Sequence, residues 1–309
     1  MSLRRLGRTD LSIEPLILGG NVFGWTLDEA AGFRVLDAYA DAGFTAIDTS
    51  DSYGKGKSET IIGNWMKARG NRGRMLVFTK VGSDMGQGHR DLSAKWIESE
   101  VEQSLKRLQT DVIDLYQSHW PDPQTPQEET LSAFDRLVKA GKVRWIGSSN
   151  QDGRLLSEAL EISKDKGLAR YQTVQNEFNL YDRSSFAGEV QEICVREDVS
   201  GIGYSSLARG FLAGKYRSAA DADKSPRGKS AVDKYLNPKG ERILKALDAV
   251  AKRRNTTPAA VTIAWIGAQP GVGAPIASAT SIEQLESLTE GARLTLDADD
   301  LRELSDAGR

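Results

Sequence analysis

Eight short apolar runs punctuate the chain at intervals of roughly 25 to 40 residues, and longer amphipathic stretches separate them. The runs are Leu16–Leu18, Phe44–Ile47, Met75–Thr79, Val112–Tyr116, Val143–Ile146, Thr173–Val174, Ile202–Tyr204 and Gly273–Ile276. Each is too short for a helix and is apolar on both faces, as buried strands of a parallel sheet are. The intervening stretches carry helical spacing. Phe33, Leu36, Asp37 and Ala40 precede Gly43; Ile97, Val101 and Leu105 follow Ser93, which suits an N-cap; Leu131, Phe134, Leu137 and Val138 precede Gly141, which suits a helix stop. Strands alternating with helices predict an α/β fold, and eight such units predict a (β/α)8 TIM barrel; an open doubly wound sheet is the competitor.

The phosphate-binding signatures of open sheets are missing. Gly201-Ile202-Gly203-Tyr204-Ser205-Ser206 lacks the third glycine and lies in a strand pattern. Gly210–Lys215 is one residue short of a P-loop and is followed by tyrosine, where a P-loop has Ser or Thr. A hairpin and two long irregular segments add to the barrel. Leu3–Leu6 and Leu11–Ile13 read as an N-terminal hairpin able to plug its bottom. Gly82–Asp91 and Ser218–Pro238 read as long loops without apolar period, and loops after strands open on the C-terminal face, where barrel active sites sit.

Composition narrows the chemistry. The chain has one cysteine and two histidines, which excludes an internal disulfide and a four-ligand structural zinc site, so no metal is expected. A net charge of −2 argues against nucleic acid as the partner. No apolar run approaches a membrane span, and the expected location is cytoplasmic. Four ionisable residues stand at or just past strand ends: Asp48, Tyr53, Lys80 and His119. Singly, each has a plain structural reading: a turn cap, a loop tyrosine, a solvated strand end, a core histidine. Together on one barrel rim they fit proton transfer to a carbonyl oxygen. The Lys80 ammonium would lower the Tyr53 pKa, Asp48 would hold Lys80, and His119 would orient the oxygen. A phenol cannot by itself reduce a carbonyl, so the hydride must come from a cofactor.

The stretches IDTSDSYGKGKSE (47–59), FTKVG (78–82), LYQSHWPDP (115–123), GKVRWIGSSN (141–150), VQNEFNLYDR (174–183) and YSSLARGFLAGKY (204–216) closely resemble the aldo-keto reductase family, in its order and over most of the chain. The resemblance implies a single barrel domain over 1–309 that reversibly reduces an aldehyde or ketone with NAD(P)H. It places the catalytic tetrad on Tyr53, Asp48, Lys80 and His119. It sets Ser149, Asn150 and Gln175 on the nicotinamide carboxamide, Tyr204 on the nicotinamide ring, and Ser205, Leu207, Gly210 and Lys215 at the pyrophosphate. Many members pair a lysine and an arginine with the 2′-phosphate of NADP; here Ser278 and Gln284 align with them, leaving Thr280 and Gln284 to hydrogen-bond the adenosine end. NADP is the expected cofactor, with NAD use open, and Arg209 or Lys215 can compensate for the lost cations. Phe23, Trp25 and Trp120 are expected to line the pocket of a small carbonyl substrate, and Arg90 is a loop arginine able to reach a carboxylate. The alternatives are a cofactor-binding regulatory subunit resembling the potassium-channel β-subunits of the family, and a cofactor-free barrel lyase or isomerase. Oligomeric state is not legible.

Overall fold

The structure is a computed structural model that describes residues 2–309. An antiparallel hairpin of β1 (Arg4–Arg5) and β2 (Ser12–Ile13) precedes eight parallel strands. These are β3 (Ile17–Gly19), β4 (Ala46–Asp48), β5 (Leu76–Val81), β6 (Ile113–Ser118), β7 (Val143–Ser149), β8 (Tyr171–Glu177), β9 (Ser200–Tyr204) and β10 (Val272–Ala277). They pair in sequence order, and β10 returns to pair with β3, closing the barrel. All eight apolar runs of the sequence lie in or overlap these strands, and an outer layer of helices covers them. Closure excludes the open-sheet alternative.

The helices start and stop where the sequence has caps. The Ser93 hydroxyl accepts from the Trp96 amide at 3.3 Å and opens the helix Ala94–Leu108, which buries Ile97, Val101, Leu105 and Leu108. The helix Gln127–Lys139 ends just before Gly141, whose φ of 74° is left-handed.

Inside the barrel, Ile17, Ala46, Phe78, Leu115, Ile202, Ala274 and Ile276 form an apolar layer. Leu6, Leu11 and Ile13 of the hairpin pack beneath it and close the N-terminal end. Burial of each such side chain contributes about 1.5–3 kcal/mol. The hairpin is also pinned by polar contacts. Gly7 N–H donates to Ser200 Oγ at 2.8 Å, and the Trp145 indole and Arg144 donate to Asp10 at 2.7 Å. Gly7 sits at φ 54°, where a Cβ would lie 2.5 Å from the Gln172 carbonyl oxygen, so glycine is required. Side chains two residues further along a strand share its face. From Ala46, Phe78, Leu115 and Thr173 the next inward positions are therefore Asp48, Lys80, Gln117 and Gln175, a polar layer above an apolar floor.

The segment Ser218–Pro238 corrects the expectation of a loop without secondary structure. It holds a 3-10 turn over Ala219–Lys224 and a helix over Gly228–Tyr235. The helix buries Ala231 and Tyr235, four residues apart, with the Tyr235 ring stacked on Phe211. Two apolar positions are too few to register as a period, and tertiary packing forms the helix. Gly82–Asp91 does lack regular structure; Asp84 accepts from the Gly86 and Gly88 amides and shapes its turn. Among the described residues no helix is long and apolar enough to cross a membrane, and no group of three or more His, Cys, Asp or Glu is placed to hold a metal ion.

Candidate active site

The four candidate catalytic residues meet at the C-terminal rim. Lys80 is wholly buried; its Nζ lies 2.5 Å from Asp48 Oδ2, 2.7 Å from the Thr49 carbonyl oxygen and 3.3 Å from Tyr53 Oη. Asp48 Oδ1 accepts from the side-chain amides of Gln175 at 2.9 Å and Gln117 at 3.2 Å. Burial alone would push the Lys80 ammonium down, but the Asp48 carboxylate and the Tyr53 phenol raise it on balance, so Lys80 stays charged. Tyr53 departs from the sequence argument. Burial raises its phenol above the ordinary value and outweighs the lowering by Lys80, so the free protein holds a protonated acid.

His119 stands edge-on to Tyr53, with ring centres 5.8 Å apart. Its Nδ1 faces two hydroxyls, Ser83 Oγ at 2.9 Å and Ser50 Oγ at 3.0 Å. Burial, then Lys80, then Arg90 hold its pKa well below the usual histidine range, so the imidazole is neutral. Ser50 Oγ also donates to Asp51 Oδ1 at 2.9 Å, while Asp51 Oδ2 is buried without a partner. Burial pushes the Asp51 carboxyl up to about 7, despite the Ser50 hydroxyl and with help from the Glu59 and Glu100 charges. A carboxyl raised on folding favours the folded state most when protonated, and that contribution is lost as pH rises from the ordinary carboxyl value of 3.8 through about 7. Asp51→Asn is therefore expected to gain thermal stability relative to the parent between pH 5 and pH 8. A constant difference in melting temperature across that range would contradict the raised pKa.

Around this centre the strand ends bring in the residues expected to hold nicotinamide. Ser149 Oγ donates to the Gln175 carbonyl at 2.7 Å. Asn150, left-handed at φ 59°, donates from Nδ2 to the His119 carbonyl at 2.8 Å and accepts at Oδ1 from Tyr204 Oη at 2.8 Å. Burial pushes the Tyr204 phenol up to about 12, which keeps that donor protonated.

Residues 15–309 match the Aldo/keto reductase family. This chain is a member of that family. It is 34% identical to the aldo-keto reductase YhdN of Bacillus subtilis, over 93% of this chain and 86% of the relative. It is 30% identical to the aldo-keto reductase yakc [NADP(+)] of Schizosaccharomyces pombe, over 90% and 83%. It is also 30% identical to a probable voltage-gated potassium channel subunit beta of Oryza sativa subsp. japonica, over 92% and 89%.

In this aldo/keto reductase the residues expected at a pyrophosphate lie in the loop after β9. Ser205, Ala208, Arg209 and Gly210 all have positive φ, and the Ala208 and Gly210 amides donate to the Ser205 and Leu207 carbonyls at 2.8 Å, which closes the loop into tight turns. Leu207 is partly buried within it, and the Lys215 ammonium lies 5.7 Å over the Tyr216 ring. The residues aligned with the adenosine end carry no charge of their own. Ser278 Oγ donates to Asn21 Oδ1 at 2.7 Å, and Thr280 donates from N and Oγ1 to Gln284 Oε1 at 3.0 and 3.1 Å, beside the N-terminus of the helix Ile282–Arg293.

The three pocket aromatics separate. Trp120 stacks on His119 at 5.7 Å and belongs to the site. Trp25 is 53% exposed at the rim. Phe23 corrects the expectation: it is wholly buried and packs on Gly32 and Ile61, so it has no surface left for a substrate. Four polar residues not singled out in the sequence join the site: Gln117, Ser50, Ser83 and Asp51. Gln117 was findable, because it lies two residues beyond the inward Leu115. The serines show their role only through His119, which is remote in sequence.

Proposed function

We propose that this chain is an NAD(P)H-dependent oxidoreductase, one barrel domain over 1–309, that reversibly reduces an aldehyde or ketone to an alcohol with Tyr53 as proton donor. The observation that carries the reading is the Tyr53 hydroxyl 3.3 Å from an ammonium that Asp48 holds at 2.5 Å. When bound, the nicotinamide supplies the hydride. Tyr53 gives its proton to the carbonyl oxygen, and the tyrosinate that remains is stabilised by Lys80. Neutral His119, accepting at Nδ1 from Ser83, presents Nε2–H to the same oxygen and orients it. In oxidation the tyrosinate takes the proton back. Ser149, Asn150 and Gln175 would hold the carboxamide, Tyr204 the ring, and Ser205, Leu207, Gly210 and Lys215 the pyrophosphate.

A panel of aldehydes, ketones and alcohols with each cofactor, followed by absorbance of reduced nicotinamide, tests the activity. Turnover confined to none of them, with cofactor retained and a stable protein partner, would favour a regulatory subunit, the reading suggested by the rice relative. For the cofactor we propose NADP, as in the printed name of the fission-yeast relative. With no cation at Ser278 or Gln284, the charged hydrogen bonds of about 1.5–3 kcal/mol each are missing. Arg209 or Lys215 would compensate for the lost cations, so in a fluorescence titration NADPH is expected to bind more tightly than NADH; equal affinities would remove the preference.

A further inference from the structure

Asp51 carries a buried carboxyl that has no part in the proton transfer at Tyr53. Two more carboxyls, Glu59 of the helix Lys57–Arg69 and Glu100 of the helix Ala94–Leu108, are buried beside it. One cation faces this group. Arg107 donates to Glu59 Oε2 at 2.6 Å and to Glu100 Oε1 at 2.5 Å, and Thr79 donates to the other Glu59 oxygen at 2.6 Å. The carbonyl of Lys80, on β5, accepts the Asp51 amide at 3.3 Å, but its ammonium is turned to Asp48. Tyr53, and Tyr116 on β6, are phenols that burial keeps protonated. Asp51 is thus a third carboxyl with no cation of its own, and it holds a proton in the interior up to about 7.

The Ser50 hydroxyl joins this carboxyl to His119. Its oxygen lies 2.9 Å from Asp51 Oδ1, 3.0 Å from His119 Nδ1 and 3.0 Å from Ser52 Oγ, and it has one proton to give. A charged Asp51 takes that hydrogen bond, so toward His119 Ser50 can only accept, which favours a proton on Nδ1. A neutral Asp51 donates to Ser50 instead; the Ser50 proton then turns to Nδ1, and the imidazole proton sits on Nε2. The Ser83 hydroxyl, 2.9 Å from Nδ1, rotates to donate or accept and serves both forms, while burial with Lys80 and Arg90 keeps the ring neutral in each. We propose that Asp51 is a positioning residue for His119: through Ser50 it selects the ring nitrogen that carries the proton, and in its neutral form it holds Nε2–H toward the carbonyl oxygen. The inference rests on the reductase reading, which gives His119 that task. As pH rises through about 7 and Asp51 charges, the Nδ1–H form should gain about fivefold on the Nε2–H form, the factor that one net hydrogen bond supplies. The kcat for reduction should step down by up to the same factor and then level off.

The test reads the imidazole nitrogens directly, by NMR of the full chain isotope-labelled at its histidine nitrogens. The chain has only two histidines, and His89, exposed in the loop after β5, is the internal reference. Between pH 5 and pH 8 the His119 signals should show a ring that stays neutral while its proton moves in part from Nε2 to Nδ1. Asp51→Asn, which does not ionise, should abolish this movement and the step in kcat. Ser50→Ala keeps the carboxyl and cuts the relay, so it should abolish both as well. The second variant is needed because the Asp51 charge also acts on Tyr53 directly. A His119 proton that does not follow pH in the parent, or that still follows it in Ser50→Ala, overturns the proposal. A kcat step that survives Ser50→Ala overturns it too, and assigns the step to the field of Asp51 at Tyr53. If no carbonyl compound is turned over, the reductase reading fails, and the nitrogen signals alone decide whether Asp51 sets the tautomer.

Discussion

Tyr53→Phe is expected to lower kcat for carbonyl reduction by about 10²–10⁴-fold, the range that a positioned general acid contributes. The loss should appear equally in kcat/KM, because the proton is needed only in the transition state. Only one oxygen is removed, and its sole hydrogen bond among the described residues is from Lys80 at 3.3 Å, so the fold and the cofactor site should persist. NADPH affinity by fluorescence titration should stay within about twofold. Retained reduction of an aromatic aldehyde by the variant would remove Tyr53 from the role of acid. The pH profile offers an independent check. Burial holds the phenol above its ordinary value, so Tyr53 should keep its acid form through neutral pH and lose it only in strongly alkaline solution.

Lys80→Met is expected to be damaging twice over. The Lys80–Asp48 pair is buried at both ends, and removing one partner of such a pair costs about 3–5 kcal/mol, because the other charge is left in the interior. Gln117 and Gln175 still donate to Asp48, but neutral amides do not replace an ammonium. The variant should unfold at markedly lower temperature. Activity should fall because nothing stabilises the tyrosinate. The double variant Lys80→Met/Asp48→Asn separates the effects: with no charge left to bury, it should regain most of the stability and none of the turnover. A double variant no more stable than Lys80→Met alone would show that packing, not charge, carried the loss.

Much of the barrel was legible because its periods are local. A strand buried on both faces needs a short apolar run, and a covering helix needs apolar residues at three and four, whatever the rest of the chain does. The same locality hid the helix Gly228–Tyr235, whose two buried positions acquire meaning only against Phe211. It also misplaced Phe23, because a residue after a strand end can turn to the rim or back under the helices, and the neighbours Gly32 and Ile61 decide which.

By itself the sequence determined the eight strand–helix units, the hairpin ahead of them, and Asp48, Tyr53, Lys80 and His119 at the ends of successive strands, since each depends on spacing within a short stretch. Tertiary structure alone decided how those residues behave. Gln175 reaches Asp48 across 127 positions, Ser50 reaches His119 across 69, and Arg227 lies over a tryptophan near the other end of the chain. Burial, which raises Tyr53 and lowers His119, comes from atoms of several elements at once. Proton affinity is a sum over neighbours in space, and barrel closure is what makes these residues neighbours.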